Sequence, residues 1–101
     1  MSILVVTAFP DPEHRATVIA AFEAAIRQVH EEPGVEIYAL HEGSDRLVMV
    51  EKYESDEAQA AHAKGRPLAD LKAALQGKPS RPLDVQRLEP HPLGDPRKGA
   101  L

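Results

Sequence analysis

Cysteine, tryptophan and asparagine are all absent from this chain of 101 residues. Without cysteine there is no disulfide, no thiolate metal site and no cysteine nucleophile. A chain without disulfides suits a reducing compartment, so we expect a cytoplasmic protein. Aromatic residues are few, and only two of them, Tyr38 and Tyr53, carry a hydroxyl group.

An excess of positive charge is also lacking, because the chain has 12 basic and 16 acidic residues and its formal net charge is −4. This balance argues against a surface for nucleic acid or for an anionic membrane. No apolar stretch approaches the ~20 residues that cross a bilayer. The apolar start, residues 1–9, has no basic leader and no small-residue cleavage site, so it predicts a strand and not a signal peptide.

Two kinds of cofactor motif are missing. No HxH or HExxH spacing is present, and we expect no metal site. The first strand is followed by Pro10-Asp11-Pro12 and not by a glycine-rich loop, so no phosphate or dinucleotide cofactor is expected. Ser55 lacks the glycines of a nucleophile elbow and is predicted to cap a helix.

Apolar periodicity and turn residues predict four strands and two helical regions. The predicted strands are residues 2–9, 35–42, 46–54 and a shorter 83–88. The predicted helices are residues 12–31, then 56–64 continued after an interruption by 67–75. Residues 79–82 are predicted to be a linker.

This order, βαββαβ, predicts an α+β ferredoxin-like domain over residues 1–90. Its antiparallel sheet has the first and third strands in the centre and both helical regions on one face. Residues 91–101 are rich in proline and glycine and are expected to form an irregular C-terminal tail.

The two central strands are apolar on both sides, although helices cover only one face of the sheet. The first strand has Leu4, Val6 and Ala8 on one side and Ile3, Val5 and Phe9 on the other, and the third strand has Val48 and Val50 on one side and Leu47, Met49 and Tyr53 on the other. Burying such a surface gains roughly 25 cal/mol per Å², and exposed patches of this kind usually mark an interface. We therefore expect a homodimer, the alternative being a monomer whose loops and tail cover the open face.

The segment VEKYESDEAQAAH, residues 50–62, resembles the antibiotic biosynthesis monooxygenase family. Its members carry an aromatic-Glu-Ser strand end, an acidic helix start and a histidine one or two turns later. The pieces YALHEG (38–43) and VQRLEP (85–90) are similar to the family pattern as well. The resemblance implies a dimeric α/β barrel with a small cavity between sheet and helices in each subunit.

Some members of the family oxidise polycyclic phenols or quinols with O₂ and without metal or flavin, and others degrade haem. The better-studied oxygenases carry Trp, Asn and Tyr where this chain has Tyr53, Met49 and Gln59. The haem-degrading branch uses Asn and Trp together with His, and this chain contains neither Asn nor Trp.

Six residues are candidates for a site. His62 is the expected general base, because an imidazole with a pKa near ~6.5 accepts a proton close to neutral pH. Tyr53 is expected beside it as a second catalytic residue. Four residues are expected to bind substrate: Tyr38, Met49, Arg87 and Phe22.

Each candidate also has a structural alternative. His62 could bond a backbone carbonyl or a tyrosine, the tyrosines could be core residues, and Arg87 could bridge to a carboxylate in the dimer. His41 and Glu51 are expected near each other on adjacent strands, either as a solvated pair or lining a cavity.

Three functions remain open from the sequence. The first is a cofactor-independent monooxygenase or related oxidoreductase for a small phenol or quinol. The second is a non-catalytic module of the same fold that binds a small ligand or acts in stress response. The third is a purely structural dimer. The first predicts an enclosed apolar cavity with His62 in its wall, and the second a filled or open pocket with His62 pointing to solvent.

Overall fold

Strand formation follows the β-branched and apolar runs of the chain. The structure is a computed structural model that describes residues 2–101. Its elements in chain order are β1 (Ile3–Pro10), a 3₁₀ turn (Pro12–His14), α1 (Arg15–Val29), β2 (Val35–Glu42), β3 (Leu47–Tyr53), α2 (Asp56–Ala63), α3 (Arg66–Leu75) and β4 (Pro79–Leu88).

The four strands form one antiparallel sheet in the order β2-β3-β1-β4. The two most apolar strands, β1 and β3, are therefore central, as predicted. Helices pack against one face of the sheet, where α1 contributes Val18, Phe22, Ala25 and Val29 to the core. The predicted α+β ferredoxin-like fold is confirmed.

The prediction for the last strand was wrong at its start. Residues 79–82 are not a linker but the first residues of β4, and this strand has 10 residues. Pro79 lies opposite Pro10, and Arg81 lies opposite Phe9, with register irregularities between them. Proline has no backbone N–H to donate to a neighbouring strand. The prolines of β4 are tolerated because β4 is an edge strand.

The first helix differs from its prediction at both ends. Its first turn is the separate 3₁₀ turn, where Asp11 Oδ1 accepts a hydrogen bond from the Glu13 N–H at 3.2 Å. The α-helix ends at Val29, two residues early, and a turn leads to Pro33-Gly34. Helix α2 begins as predicted, with Ser55 Oγ accepting from the Ala58 N–H at 3.1 Å.

Strict alternation along β3 separates the two faces of the sheet. Leu47, Met49, Glu51 and Tyr53 are buried on the helix side, and the residues between them are half-buried on the other side. This alternation carries Glu51, a carboxylate, into an otherwise apolar layer. The helix side of β3 therefore supplies both the core and the polar group of the cavity below.

The open face of the sheet is apolar at its centre, where Val5 lies opposite Val50. The C-terminal tail covers part of this face. Lys52 Nζ donates a hydrogen bond to the backbone oxygen of Leu101 at 2.9 Å, and Ala100 and Leu101 border a hollow that Val5 and Val50 also line.

Candidate functional site

An apolar cavity of about 180 Å³ lies between the sheet and the helices. Its aliphatic wall comes from β1, α3 and β4 and includes Leu4, Val6, Leu68, Leu71, Leu75 and Leu83. Five polar side chains also line it: Tyr38, Glu51, Gln59, His62 and Lys72. Val85 of β4 is 58% exposed, so the cavity opens to solvent along this edge.

His62 stands in the wall of the cavity and is only 5% exposed. Its Nδ1 lies 3.0 Å from Glu32 Oε1. Because a carboxylate oxygen accepts hydrogen bonds, we assign the proton of this pair to Nδ1. In the neutral ring this tautomer leaves the lone pair on Nε2, an atom that bonds to no protein group within residues 2–101.

Glu32 reaches His62 from the turn between α1 and β2. Gly34 in this turn has a φ of +85°, and a Cβ there would lie 2.6 Å from the Cβ of Ala58 in α2. The carbonyl oxygen of Gly34 accepts a hydrogen bond from the Glu54 N–H at 2.8 Å. A glycine is thus what allows the turn to approach α2 and to hold Glu32 beside His62.

The two tyrosines flank the His62 ring. The ring centroid of Tyr38 is 5.4 Å from that of His62 in an edge-to-face arrangement, and the centroid of Tyr53 is 5.5 Å away. Tyr53 donates its hydroxyl hydrogen to Glu51 Oε1 at 2.6 Å. The hydroxyl of Tyr38 has no hydrogen-bond partner within the described part of the chain, and Tyr38 lines the cavity.

Burial changes the acidity of these groups. It raises the pKa of Glu51 above the ordinary carboxyl value, although the Tyr53 hydrogen bond and the nearby His62 oppose part of the rise. Burial also raises the pKa of Tyr38, with the negative charge of Glu51 adding to the effect. The pKa of Tyr53 is raised by burial first and by its hydrogen bond to Glu51 second. Both tyrosine hydroxyls therefore remain protonated donors at neutral pH.

The other candidates divide between the cavity wall and its rim. Phe22 and Met49 are buried and line the cavity. Arg87 is exposed, and its guanidinium donates to Gln59 Oε1 at 3.0 Å and to Asp56 Oδ1 at 3.3 Å. It thus ties β4 to α2 beside Gln59, which itself lines the cavity.

Two acidic residues at the site were not among the six candidates from sequence, although Glu51 was expected near His41 in a pair that could line a cavity. Glu51 had a signal, since it occupies a helix-facing position of β3 between Met49 and Tyr53. Glu32 had none, because its role depends on the path of an irregular turn. Its second oxygen, Oε2, is buried and has no partner in the described structure.

The predicted proximity of His41 and Glu51 was wrong. Glu51 lies opposite Tyr38, whereas His41 lies opposite Val48. Val48 and Glu51 are three residues apart on one strand, so their side chains point to opposite faces of the sheet. His41 is exposed on the open face, and Glu51 is buried under the helices.

Two further properties bear on the kind of site. Within residues 2–101, no three His, Asp or Glu side chains come together in a group that could hold a metal ion. No helix of the described chain has the length and apolar character needed to cross a membrane.

Comparison with known proteins decides the family. The family model described as antibiotic biosynthesis monooxygenase matches residues 1–74, which is most of the chain. The chain belongs to the antibiotic biosynthesis monooxygenase family. The matched segment contains Tyr38, Glu51 and His62, whereas Arg87 and the β4 wall of the cavity lie beyond it.

Solved structures show the same fold as this family member. Rv0793 from Mycobacterium tuberculosis is 25% identical, with a TM-score of 0.85, over 93% of this chain and 98% of that one. A crystal structure named antibiotic biosynthesis monooxygenase is 17% identical, with a TM-score of 0.84, over 91% and 100%. A protein from Caulobacter crescentus CB15, named as a candidate for the same activity, is 21% identical, with a TM-score of 0.81, over 86% of each chain. No curated protein matches this chain.

Proposed function

We propose that this member of the antibiotic biosynthesis monooxygenase family oxidises a small phenol or quinol with O₂ and needs no cofactor. One observation carries the proposal: His62 is buried in the wall of an apolar cavity with Glu32 bound to Nδ1. A histidine that served only the packing of α2 would need neither a carboxylate partner at Nδ1 nor a place in the cavity wall.

His62 Nε2 is proposed to be the base. It takes the proton from a ring hydroxyl, and the negative charge of the phenolate is shared with a ring carbon. O₂ bonds to that carbon, and the resulting peroxide takes up a proton and loses water together with the hydrogen of that carbon. A phenol and O₂ thereby become a quinone and water.

The surroundings of His62 support this chemistry. The Glu32 carboxylate stabilises the imidazolium that forms when Nε2 takes a proton, because it accepts the Nδ1 hydrogen. The hydroxyl of Tyr38, a residue of the cavity wall, is proposed to donate to the phenolate oxygen, and Tyr53 holds Glu51 through a hydrogen bond. Aliphatic walls limit the contact of the reactive anion with water, which would otherwise solvate and protonate it.

A homodimer is part of the proposal. The centre of the open face, around Val5 and Val50, remains apolar where the tail does not cover it. A second copy packed on this face would bury it and complete the dimeric barrel that the family resemblance implies. The cytoplasmic location stays a prediction.

The alternative is a non-catalytic module that binds a small ligand in the same cavity. It is favoured by one observation, that Tyr53 and Met49 stand where the better-studied oxygenases have Trp and Asn. Such a module would bind phenols without consuming O₂.

Oxygen uptake with a panel of hydroquinones and anthrones tests the proposal. We expect uptake by the wild type and a rate about 10²–10⁴-fold lower for His62→Ala, the usual contribution of a general base. The Glu32→Gln variant should lose about 10–100-fold in kcat with little change in KM, because a charged hydrogen bond to the base is weakened.

His91→Ala is the matched control, because His91 is exposed in the tail, and its rate should equal that of the wild type. Absence of uptake with every substrate would contradict the oxidase reaction. Equal rates for His62→Ala and wild type would remove His62 as the base.

A further inference from the structure

Glu51 is a buried carboxylate for which the base mechanism has no use. It is 5% exposed and lines the cavity. Its Oε1 accepts the Tyr53 hydroxyl at 2.6 Å, a length typical of an O–H bond to an ionised carboxylate. Burying an ionised carboxylate is costly unless both oxygens have partners.

The second oxygen of Glu51 has no such partner. Oε2 accepts no hydrogen bond from any group within residues 2–101, yet it is not sealed in protein as Glu32 Oε2 is. Glu51 and His62 both line the cavity, and each has one atom without a protein partner, a carboxylate oxygen and an imidazole nitrogen. Both atoms accept hydrogen bonds.

The size of the cavity limits what can meet these two acceptors. An apolar protein cavity of ~150 Å³ is known to bind benzene. The present cavity, at about 180 Å³, therefore has room for one substituted six-membered ring.

We propose that the cavity recognises a single-ring diol of the hydroquinone class, with one hydroxyl donating to His62 Nε2 and the other donating to Glu51 Oε2. This rests on the proposed function for the identity of the base but adds a second contact and the size of the ring that fits between the two acceptors. The raised pKa of Glu51 agrees with it, since a carboxylate stripped of water gains most from a ligand donor.

Anaerobic binding of hydroquinone and 4-methoxyphenol tests the inference. The two probes have the same ring, but the second has one hydroxyl capped by a methyl group. We expect wild type to bind hydroquinone about tenfold or more tightly, as for one hydrogen bond to a charged group.

Glu51→Gln should abolish this preference. Its amide oxygen takes the Tyr53 hydroxyl, and the NH₂ group, a donor, then faces the cavity in place of Oε2. Glu31→Gln is the matched control, because Glu31 is exposed and makes no side-chain hydrogen bond in the described structure. This variant should keep the preference.

A measurement on the wild type alone guards against a variant that does not fold. The ¹³C carboxyl signal of Glu51 should shift with hydroquinone and stay in place with 4-methoxyphenol. Equal affinities in the wild type, a preference retained by Glu51→Gln, or an unmoved Glu51 signal would each overturn the inference.

Oxygen uptake separates this inference from the proposed function. Preference for the diol without O₂ consumption would support the binding mode and contradict the oxidation. Oxidation of hydroquinone by Glu51→Gln at an unchanged rate and KM would support the oxidation and contradict the binding mode.

Discussion

Two buried side chains that line the cavity, His62 and Glu51, each use one polar atom to bind a protein group and leave the other atom without a protein partner. His62 gives Nδ1 to Glu32 and keeps Nε2 free, and Glu51 gives Oε1 to Tyr53 and keeps Oε2 free. The bonded atom fixes the side chain, and the free atom is available to a ligand. Pre-oriented groups of this kind bind a ligand with little further loss of conformational entropy.

The buried carboxyl of Glu51 should make stability depend on pH. Because its pKa in the fold is raised above the ordinary 4.5, the native state holds the proton more tightly than the unfolded chain does. Its contribution is fully present below pH 4.5 and is lost as pH rises through the raised pKa. Tyr53 on the same strand and His62 on α2 are the groups whose charge or hydrogen bond opposes this shift.

Glu51→Gln cannot ionise and should therefore gain stability relative to the wild type as pH rises. Urea unfolding of both proteins between pH 4 and pH 8 measures the difference in free energy of unfolding, with Glu31→Gln as the control. A difference that is constant over this range, or one that moves in favour of the wild type at high pH, would contradict the burial of an ionisable Glu51.

At the scale of elements, the turn between α1 and β2 depends on Gly34. Alanine there would combine a φ of +85° with a contact of 2.6 Å to the Cβ of Ala58, which cannot rotate away. Gly77 has a φ of +76° but nothing within 4 Å of its added Cβ. Alanine at Gly77 would therefore introduce backbone strain alone, whereas alanine at Gly34 would introduce backbone strain and a steric clash.

We expect Gly77→Ala to lose about 1 kcal/mol and Gly34→Ala about 1–3 kcal/mol more, the usual range for overpacking. Urea denaturation of the two variants gives both values. Gly34→Ala should also weaken the Glu32–His62 contact and lower oxygen uptake, whereas Gly77→Ala should not. Equal losses of stability would mean that the turn does not press on α2.

The elements also show how far the sequence alone leads. Bounds of β2 were predicted to the residue, because Pro33-Gly34 and Gly43-Ser44 mark its ends. The start of β4 was missed because prolines 79 and 82 are typical of linkers, and only the pairing with Pro10 and Phe9 makes them part of an edge strand. His62 was a candidate because of the family resemblance, but its partner Glu32 is 30 residues away and is brought there by a turn.

At the scale of the whole molecule, a helix layer covers one face of the sheet and the tail covers only part of the other. We expect sedimentation equilibrium at micromolar concentration to give a dimer. Val50→Glu should shift it towards monomer, because a charge would be buried at the centre of the contact. Ala73→Glu, on an exposed position of α3, is the control and should remain dimeric.

A wild type that sediments as a stable monomer would contradict the homodimer. If the Val50→Glu variant dimerises as strongly as the wild type, the dimer interface lies elsewhere on the surface.

The most direct test of the account is the state of the His62 ring, observed by ¹H–¹⁵N NMR of the five histidines with and without hydroquinone under anaerobic conditions. We predict that Nδ1 of His62 carries the proton, that Nε2 does not, and that the Nε2 signal moves most when hydroquinone is added. A proton on Nε2 with Nδ1 bare, or a His62 ring that does not respond to the ligand, would contradict the proposed base.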